Sequence, residues 1–520
     1  MQQQFFLERN HPTFQPGSFA SVNRPLLPHT ASAVSISHFI NNGNSNGSAN
    51  ARDMYGFRKQ SQYITASEYD KWFASYEKYM HRRRRKWEAL IRDSGIEFGE
   101  DGVPLAFPRK SKLVKRYVRK GIPVDWRGAA WFWYAKGPEY LKKNPGLYER
   151  LWTRGMSSPP VDSELIERDL HRTFPDNIHF RNTDQPPVNS GSPATTPGST
   201  KSSGSNSRRN SAAPETRIVQ SLRRVLYAFS LYVPKTGYCQ SLNFLAGLLL
   251  LFMEEEKAFW MLVIITQKYL PGVHEINLEG ANIDQGVLMM CVRESLPIVW
   301  NKIGAGIDGY LRDDMVVRLP PITLCTAAWF MSGFIGVLPI ETVVRVWDCF
   351  FYEDSKVFFR IALTIFKLSE RQIESVRDPM ETFQIVQTTP KQLLDASSVI
   401  QSCFRRHNGF GHISQEEIDN RRRFVADRRR HVGVMTSSDI LADELDSQLP
   451  SSSLPGHTSG RQKRFAGIAS SGFESRKAAE DRIQMLRMGS MNMLSLNARN
   501  DYFSPPSSSR SVSGASSPAV

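Results

Sequence analysis

The sequence of 520 residues contains only five cysteines and has no long hydrophobic run. Five scattered cysteines do not form a disulfide framework, and they indicate reduced thiols in the cytosol. The longest strongly apolar stretch, Asn243 to Met253, is shorter than the about 20 residues that a transmembrane helix needs. The amino-terminal end lacks a basic segment followed by an apolar one, so we expect no secretory signal. These absences predict a cytoplasmic protein.

The sequence also has fewer acidic than basic residues. The chain carries 51 Asp and Glu residues against 66 Lys and Arg residues, which gives a formal net charge of +15. Most of the basic excess lies outside residues 114–420. This distribution argues against a nucleic-acid-binding fold, and it suits tails that contact an anionic membrane or an acidic partner.

The sequence lacks the short motifs of several enzyme classes. Without a Gly-x-x-x-x-Gly-Lys-Ser/Thr loop, the chain is not expected to hydrolyse a nucleotide by itself. It has no Cys-x-x-Cys pair, and His274-Glu275 lacks a second histidine four residues on, so metal-site signals are weak. A Gly-x-Ser-x-Gly nucleophile elbow is absent too. We therefore predict no metal ion or cofactor bound by this chain.

Composition and hydrophobic periodicity divide the chain into disordered and helical parts. Stretches rich in Asn, Ser, Gly and Pro cannot bury a core. Elsewhere apolar residues recur every three or four positions with little strand alternation, which predicts an all-α fold of many helices. The predicted parts are a disordered tail (1–60), a helical extension (61–113), a main helical domain (114–408) with a disordered insertion (183–214), a basic amphipathic helix (409–432) and a disordered Ser-rich tail (433–520).

One segment of the main domain, LIERDLHRTFP at 165–175, places Ile166, Asp169 and Arg172 three residues apart on one helical face. An aspartate three residues before an arginine can hold the guanidinium through a charge-assisted pair. Thr173-Phe174-Pro175 is expected to end the helix just after Arg172. A planar cation fixed at a helix end is suited to neutralise a phosphoryl-transfer transition state in a partner's site.

A second segment, TGYCQSLNFLAGLLLLF at 236–252, places Tyr238 and Gln240 just before an apolar helix. A glutamine amide donates to one group and accepts from another, so Gln240 could orient an attacking water. Simpler readings of both segments remain open, because most Asp/Arg pairs at this spacing are solvated surface pairs. A glutamine at a helix start is more often a cap or a core hydrogen-bonding group.

In their order along the chain, four segments resemble the signature motifs of the TBC-domain GTPase-activating proteins, which act on Rab-family small GTPases. The resemblance covers roughly residues 115–405. The matching motifs are Gly-Ile-Pro…Arg-Gly…Trp within 119–137, Ile-x-x-Asp-x-x-Arg (Ile166, Asp169, Arg172), Tyr-x-Gln (Tyr238, Gln240), and a Trp-Phe…Leu-Pro…Arg-Val-Trp-Asp…Phe-Arg-x-Ala-Leu segment at 329–363. Within the family, the chain resembles fungal members linked to secretion and polarised growth.

The resemblance implies a dual-finger mechanism. Arg172 corresponds to the arginine finger and Gln240 to the glutamine that acts in trans, with Asp169 and Tyr238 as supporting residues and Ile166 packing the arginine helix. The chain would then activate a GTP-bound Rab GTPase rather than use a substrate pocket of its own. Mg²⁺ and GTP would belong to the partner. The implied setting is vesicle transport and exocytosis, in the cytoplasm and peripherally at membranes of the secretory or endocytic pathway.

Two departures from the family pattern stand out. Ser241 occupies a position where a glycine commonly follows the motif glutamine, and the 183–214 insertion separates the arginine segment from the glutamine segment. Within the insertion, Arg208-Arg209-Asn210-Ser211 resembles a basophilic kinase site, so phosphorylation of Ser211 is a hypothesis beside that of a plain linker.

Two other classes of protein remain as alternatives. A GTPase-binding scaffold or effector without activity is disfavoured by the presence of both Arg172 and Gln240. A nucleic-acid-binding protein is suggested by the basic runs at 82–86 and 421–430, but a solvated helix face or an anionic membrane explains such runs more often. We expect Arg127, Trp131 and the Arg345–Asp348 region to serve core packing and internal ion pairing.

Overall fold

The computed structural model describes residues 51–181, 215–304 and 319–446, with side chains as far as His431. The predicted insertion with Ser211, most of the amino-terminal tail and the end of the carboxy-terminal tail lie outside these ranges.

Within the described ranges the regular structure is helical, and only isolated β-bridges occur, so the prediction of an all-α fold is confirmed. No helix of this part is long and apolar enough to span a bilayer. The helices are α1 (Ala66–Asp93), α2 (Lys112–Arg119), α3 (Arg127–Tyr134), α4 (Gly137–Lys143), α5 (Leu147–Ser157), α6 (Ser163–Leu170), α7 (Arg217–Tyr232), α8 (Leu242–Leu250), α9 (Glu255–Ile264), α10 (Glu279–Ser295), α11 (Pro297–Ile303), α12 (Thr323–Met331), α13 (Ile340–Glu353), α14 (Lys356–Ser375), α15 (Pro379–Thr388), α16 (Ala396–Phe404) and α17 (Gln415–Asp446).

Helix α1 begins at the predicted capping box. The Thr65 hydroxyl accepts from the Glu68 backbone N–H, and the Glu68 carboxylate accepts from the Thr65 N–H. Each bond satisfies a donor that the helix itself leaves unpaired. Further along α1, the Trp87 indole N–H donates to the Gly121 carbonyl at 2.8 Å, which fixes the helix on the segment after α2.

The centre of the core is formed by α7, α8 and α9, which pack on one another. Every residue of α8 is buried, including the polar Asn243. A helix that is buried on every side is typical of a core element. Helix α6, which precedes Arg172, also packs on α7 and α8 and therefore lies directly against the centre of the core.

A buried carboxylate joins the Gly-Ile-Pro…Arg-Gly…Trp motif to α13. Asp348 accepts hydrogen bonds from Arg127 Nε at 3.2 Å, Trp131 Nε1 at 2.9 Å and the Ile122 backbone N–H at 3.1 Å. The Arg127 and Asp348 side chains are fully buried. A buried charge needs a partner and further hydrogen bonds, and this cluster provides both, so these motif residues hold the fold together.

The basic run of α17 faces another helix. Arg422 pairs with the buried Asp284 of α10 at 2.7 Å, and Arg429 pairs with Glu279 of α10 at 2.7 Å. Arg421 pairs with Glu294 of the same helix at 2.6 Å. Three arginines are therefore engaged within the fold.

Both outer boundaries of the ordered part differ from the sequence-based prediction. Helix α17 continues to Asp446, beyond the predicted end at 432, because no proline interrupts 433–446. Residues 51–60, assigned to the disordered tail by their neighbours' composition, form a turn instead. Asp53 accepts from the backbone N–H groups of Tyr55 and Phe57, and Tyr55 is buried.

Candidate functional site

Arg172 lies in the turn that follows α6. The helix ends at Leu170, two residues before the arginine, so the prediction that it ends just after Arg172 was wrong by these two positions. The turn is closed by hydrogen bonds from the Arg172 N–H to the Asp169 carbonyl and from the Thr173 N–H to the Leu170 carbonyl, both at 3.2 Å. The Arg172 side chain is 48% exposed, whereas Ile166 is buried in the core.

Asp169 is a buried carboxylate that contacts residues of both predicted motifs. Its Oδ2 accepts from the Tyr238 hydroxyl at 2.9 Å, while Arg172 and Arg168 each approach Oδ1 only to 3.7 Å. At that distance the arginines are attracted without a hydrogen bond. The predicted Asp169–Arg172 pair is thus a loose one, which leaves the guanidinium donors of Arg172 available.

Electrostatics at this carboxylate are set by burial. Burial raises the pKa of Asp169, and the opposing effects of the Tyr238 hydroxyl and of the two nearby arginines do not cancel it. Burial and the charge of Asp169 together raise the pKa of Tyr238 well above its ordinary value. Tyr238 therefore stays a hydroxyl donor at neutral pH.

Gln240 lies in the loop between α7 and α8. The loop turns sharply at Gly237, whose φ is +56° and where an added Cβ would stand 2.6 Å from Asp162 Oδ2. Only glycine fits such a close approach at this conformation. The side chain of Gln240 is half-buried, and its Oε1 is shielded from solvent without a hydrogen-bond partner. Such a buried acceptor is satisfied only when the side chain turns or a donor enters from outside the fold.

A second hydrogen-bonded link joins the arginine turn to the glutamine loop. The Thr173 hydroxyl donates to the Asp169 carbonyl at 2.8 Å and accepts from Asn243 Nδ2 at 2.9 Å, and Asn243 Oδ1 accepts from the Ser241 N–H at 3.1 Å. Sequence reasoning missed Thr173 and Asn243. Asn243 was the available signal, because a polar residue within an apolar helix requires a partner.

The backbone on both sides of this link is strained. Phe174 has a φ of +50° and Ser241 a φ of +111°, values that residues with a Cβ rarely adopt. Ser241 is the position where a glycine was expected from the family pattern. Strained residues of this kind persist only where the surroundings hold them, and they cluster at functional sites.

A cavity of about 290 Å³ opens beside the arginine. Arg172 and Phe174 line one wall, and the other walls come from residues 57–64 and 335–341. Gln240 is not among the described residues that line it. Cys239 donates from Sγ to the Gln240 carbonyl at 3.5 Å.

The described part is thus an all-helical protein that presents an arginine and a glutamine from two turns held together by buried hydrogen bonds. Comparison with known proteins supports a particular family. The family model of the Rab-GTPase-TBC domain matches residues 202–374.

Relatives with the same domain match over most of the chain. The GTPase-activating protein GYP3 of Saccharomyces cerevisiae is 45% identical over 74% of this chain and 65% of its own length. The GTPase-activating protein MSB4 of the same yeast is 43% identical over 72% of this chain and 80% of its length. Human growth hormone-regulated TBC protein 1 is 33% identical over 68% of this chain and 89% of its length. The chain belongs to the family of TBC-domain proteins.

Two further facts qualify these matches. The chain spans 65% of the length of yeast GYP3. Among solved structures it is similar to the Chlamydomonas flagellar RabGAP TBC domain, with 22% identity over 70% of this chain and all of that one, and a TM-score of 0.48.

Proposed function

We propose that this protein is a GTPase-activating protein for Rab-family small GTPases and that Arg172 and Gln240 act on the partner's GTP in trans. The observation that supports the proposal most is the pair of hydrogen bonds, Tyr238 to Asp169 and Asn243 to Thr173, that ties the turn of Arg172 to the loop of Gln240. The names of the yeast relatives support the same activity.

Arg172 acts on the charge that develops in the transition state. Its side chain is exposed and its donors are not taken by Asp169, so it can reach oxygens of the transferring phosphoryl group. An arginine finger contributes about 10³–10⁵ in rate, or roughly 4–7 kcal/mol of barrier. The guanidinium carries a delocalised charge and a planar set of donors, a combination that lysine does not offer.

Gln240 acts on the attacking water. Its Oε1 has no hydrogen-bond partner within the fold but is shielded from solvent, so the half-buried side chain turns toward the partner before it acts. Oε1 then accepts a hydrogen bond from the water while the amide N–H₂ donates elsewhere. Both residues need a γ-phosphate, so the partner is the GTP-bound form, and the GTP and its Mg²⁺ are held by that partner.

The same proposal includes a place of action. The protein works in the cytoplasm and peripherally at membranes of the secretory or endocytic pathway, where it regulates vesicle transport and exocytosis. Contact with an anionic membrane is made by the basic tails, and we add to them the exposed Arg82, Arg85 and Lys86 of α1. Sedimentation with phosphatidylserine vesicles tests this, and equal binding after all three are changed to Glu would contradict it.

The activity is tested by single-turnover GTP hydrolysis with a panel of GTP-loaded Rab GTPases and the full chain. Arg172→Ala is expected to reduce stimulation by about 10³-fold or more, and Gln240→Ala is expected to reduce it as well. Arg168→Ala is the matched control, since Arg168 also lies 3.7 Å from Asp169 Oδ1 and is 42% exposed. It is expected to keep most of the activity.

Two outcomes would change the assignment. Equal losses of stimulation in Arg168→Ala and Arg172→Ala would show that positive charge near Asp169, and not a specific arginine finger, supports the activity. A folded wild-type chain that binds a GTP-loaded GTPase without stimulating it would be a scaffold or effector.

A further inference from the structure

Residues 51–58, which we name the N-terminal strap, pack against the segment that follows Arg172. They precede the family match at 202–374 by a long stretch of chain. The Gly56 carbonyl accepts from the Ile178 N–H at 3.0 Å, and the Tyr55 carbonyl accepts from Asn177 Nδ2 at 3.0 Å. The strap is therefore joined to residues 177 and 178 by hydrogen bonds that involve its backbone.

Charged groups add to this contact. Arg58 Nη2 lies 3.2 Å from Asp176 Oδ1, and Arg52 Nη1 donates to the Asp176 carbonyl. Asn177 is fully buried and also accepts from the His179 N–H through Oδ1. Strap and segment thus share polar contacts at three consecutive positions, 176 to 178.

An aromatic contact joins the strap to Phe174, which lies two residues after Arg172. The ring of Phe57 meets the ring of Phe174 edge-on, with centroids 5.1 Å apart. Phe174 is the residue with the left-handed backbone, and its ring also contacts Phe180 and Phe244. Such a conformation needs outside contacts to persist. The strap supplies one of them.

The other side of the strap is fixed to the core. Tyr55 is buried, its hydroxyl accepts from Arg127 Nη1 at 2.6 Å, and its ring lies 5.6 Å from that of Phe252. Arg127 is in turn paired with Asp348. The strap therefore connects the turn of Arg172 to an ion pair whose two side chains are fully buried.

We propose that the N-terminal strap is a positioning element for Arg172. The inference rests on the proposed function. By holding the turn at Phe174, the strap keeps the exposed guanidinium in the orientation that the transition state requires. It acts through Arg172, so its loss lowers kcat for the GTP-loaded GTPase, and KM changes little because the guanidinium contributes in the transition state.

Gly56→Ala is the sharpest perturbation. Gly56 has a φ of +89°, and an added Cβ would lie 2.9 Å from Ile178 Cγ2 and 3.1 Å from Asn177 Oδ1. The methyl group therefore pushes the strap away from the segment. Gly102→Ala is the matched control, because Gly102 has a φ of +70° with no atom within 4 Å of the added Cβ. Both variants place an alanine at a positive φ, but only Gly56→Ala disturbs the strap.

In the full chain we expect Gly56→Ala to lower kcat by about tenfold to a hundredfold, as small misplacements of a catalytic group do, with KM within about twofold of wild type. Gly102→Ala should keep both constants. In an Arg172→Ala background the strap variant should cause no further loss, because the group on which it acts is gone. Phe57→Ala provides a second perturbation, should Gly56→Ala fail to fold.

Hydrogen exchange supplies a readout that does not depend on activity. Amides of 172–180 should exchange faster in Gly56→Ala than in Gly102→Ala. Equal kcat in the two glycine variants and in Phe57→Ala, or an undiminished strap effect in Arg172→Ala, would overturn the inference while leaving the proposed function intact. A wild-type chain that stimulates no GTPase would overturn both.

Discussion

The hydrogen bond from Tyr238 to Asp169 permits a prediction of magnitude. Tyr238→Phe removes only the hydroxyl, and it leaves Oδ2 of a buried carboxylate without its donor. Oδ1 of the same carboxylate already has no hydrogen-bond partner. Hydrogen bonds to charged groups contribute about 1.5–3 kcal/mol. We expect the free energy of unfolding to fall by this amount at pH 7.

The expected loss depends on pH. The Tyr238 hydroxyl lowers the pKa of Asp169 against the effect of burial, so its removal raises that pKa further. A raised carboxyl pKa in the folded state penalises folding at pH values above it and not below the ordinary Asp pKa of about 3.9. The deficit of Tyr238→Phe should therefore be larger at pH 7 than at pH 4.

Urea unfolding of the full chain measures both quantities, with Tyr227→Phe as the matched control. The Tyr227 hydroxyl donates to Glu167 at 2.8 Å, but that carboxylate is 39% exposed and also accepts from Arg223 at 2.6 Å. Its loss should cost no more than about 1 kcal/mol. Equal losses in the two variants, or a Tyr238→Phe deficit that does not change with pH, would refute the reasoning.

Two further predictions concern the backbone and a buried histidine. Ser241→Gly should raise the free energy of unfolding by about 1 kcal/mol, since relief of the strain at φ +111° exceeds the entropy cost of glycine; a lower urea midpoint would contradict this. Burial lowers the pKa of His274 to about 4, although its Nε2 bonds the Met331 carbonyl at 2.8 Å. Because the unfolded state takes up this proton first, stability should fall by about 3 kcal/mol as pH drops from about 6.5 to 4. The free energy of unfolding, measured at several pH values in this range, should fall more steeply with decreasing pH for wild type than for His274→Gln. Equal declines would contradict the prediction.

The helical architecture was predictable because its signals are local. The Thr65–Glu68 capping box and the apolar spacing after it depend on residues within a few turns of each other, and the structure places α1 where they indicated. The Ser414 cap before α17 follows the same logic, with its hydroxyl accepting from the Glu417 N–H at 3.0 Å.

The links within the site were less accessible, because they join distant parts of the chain. Tyr238 and Asp169 are 69 residues apart, and Asn243 and Thr173 are 70 residues apart. Spacing alone predicted a close Asp169–Arg172 pair, whereas in the structure the Asp169 carboxylate accepts a hydrogen bond from the Tyr238 hydroxyl. Local composition likewise hid the strap, since its partners Arg127 and Asn177 lie 72 and 122 residues downstream of Tyr55.

The Arg127–Asp348 pair has a consequence for the order of folding during synthesis. The two residues are 221 positions apart in the chain. At about 5–20 residues per second, a ribosome needs roughly 10–45 s to add that many residues. During that interval Arg127 lacks Asp348, the carboxylate with which it pairs in the core. The strap, anchored on the same arginine, therefore reaches its final place only after about the first two thirds of the chain have been translated.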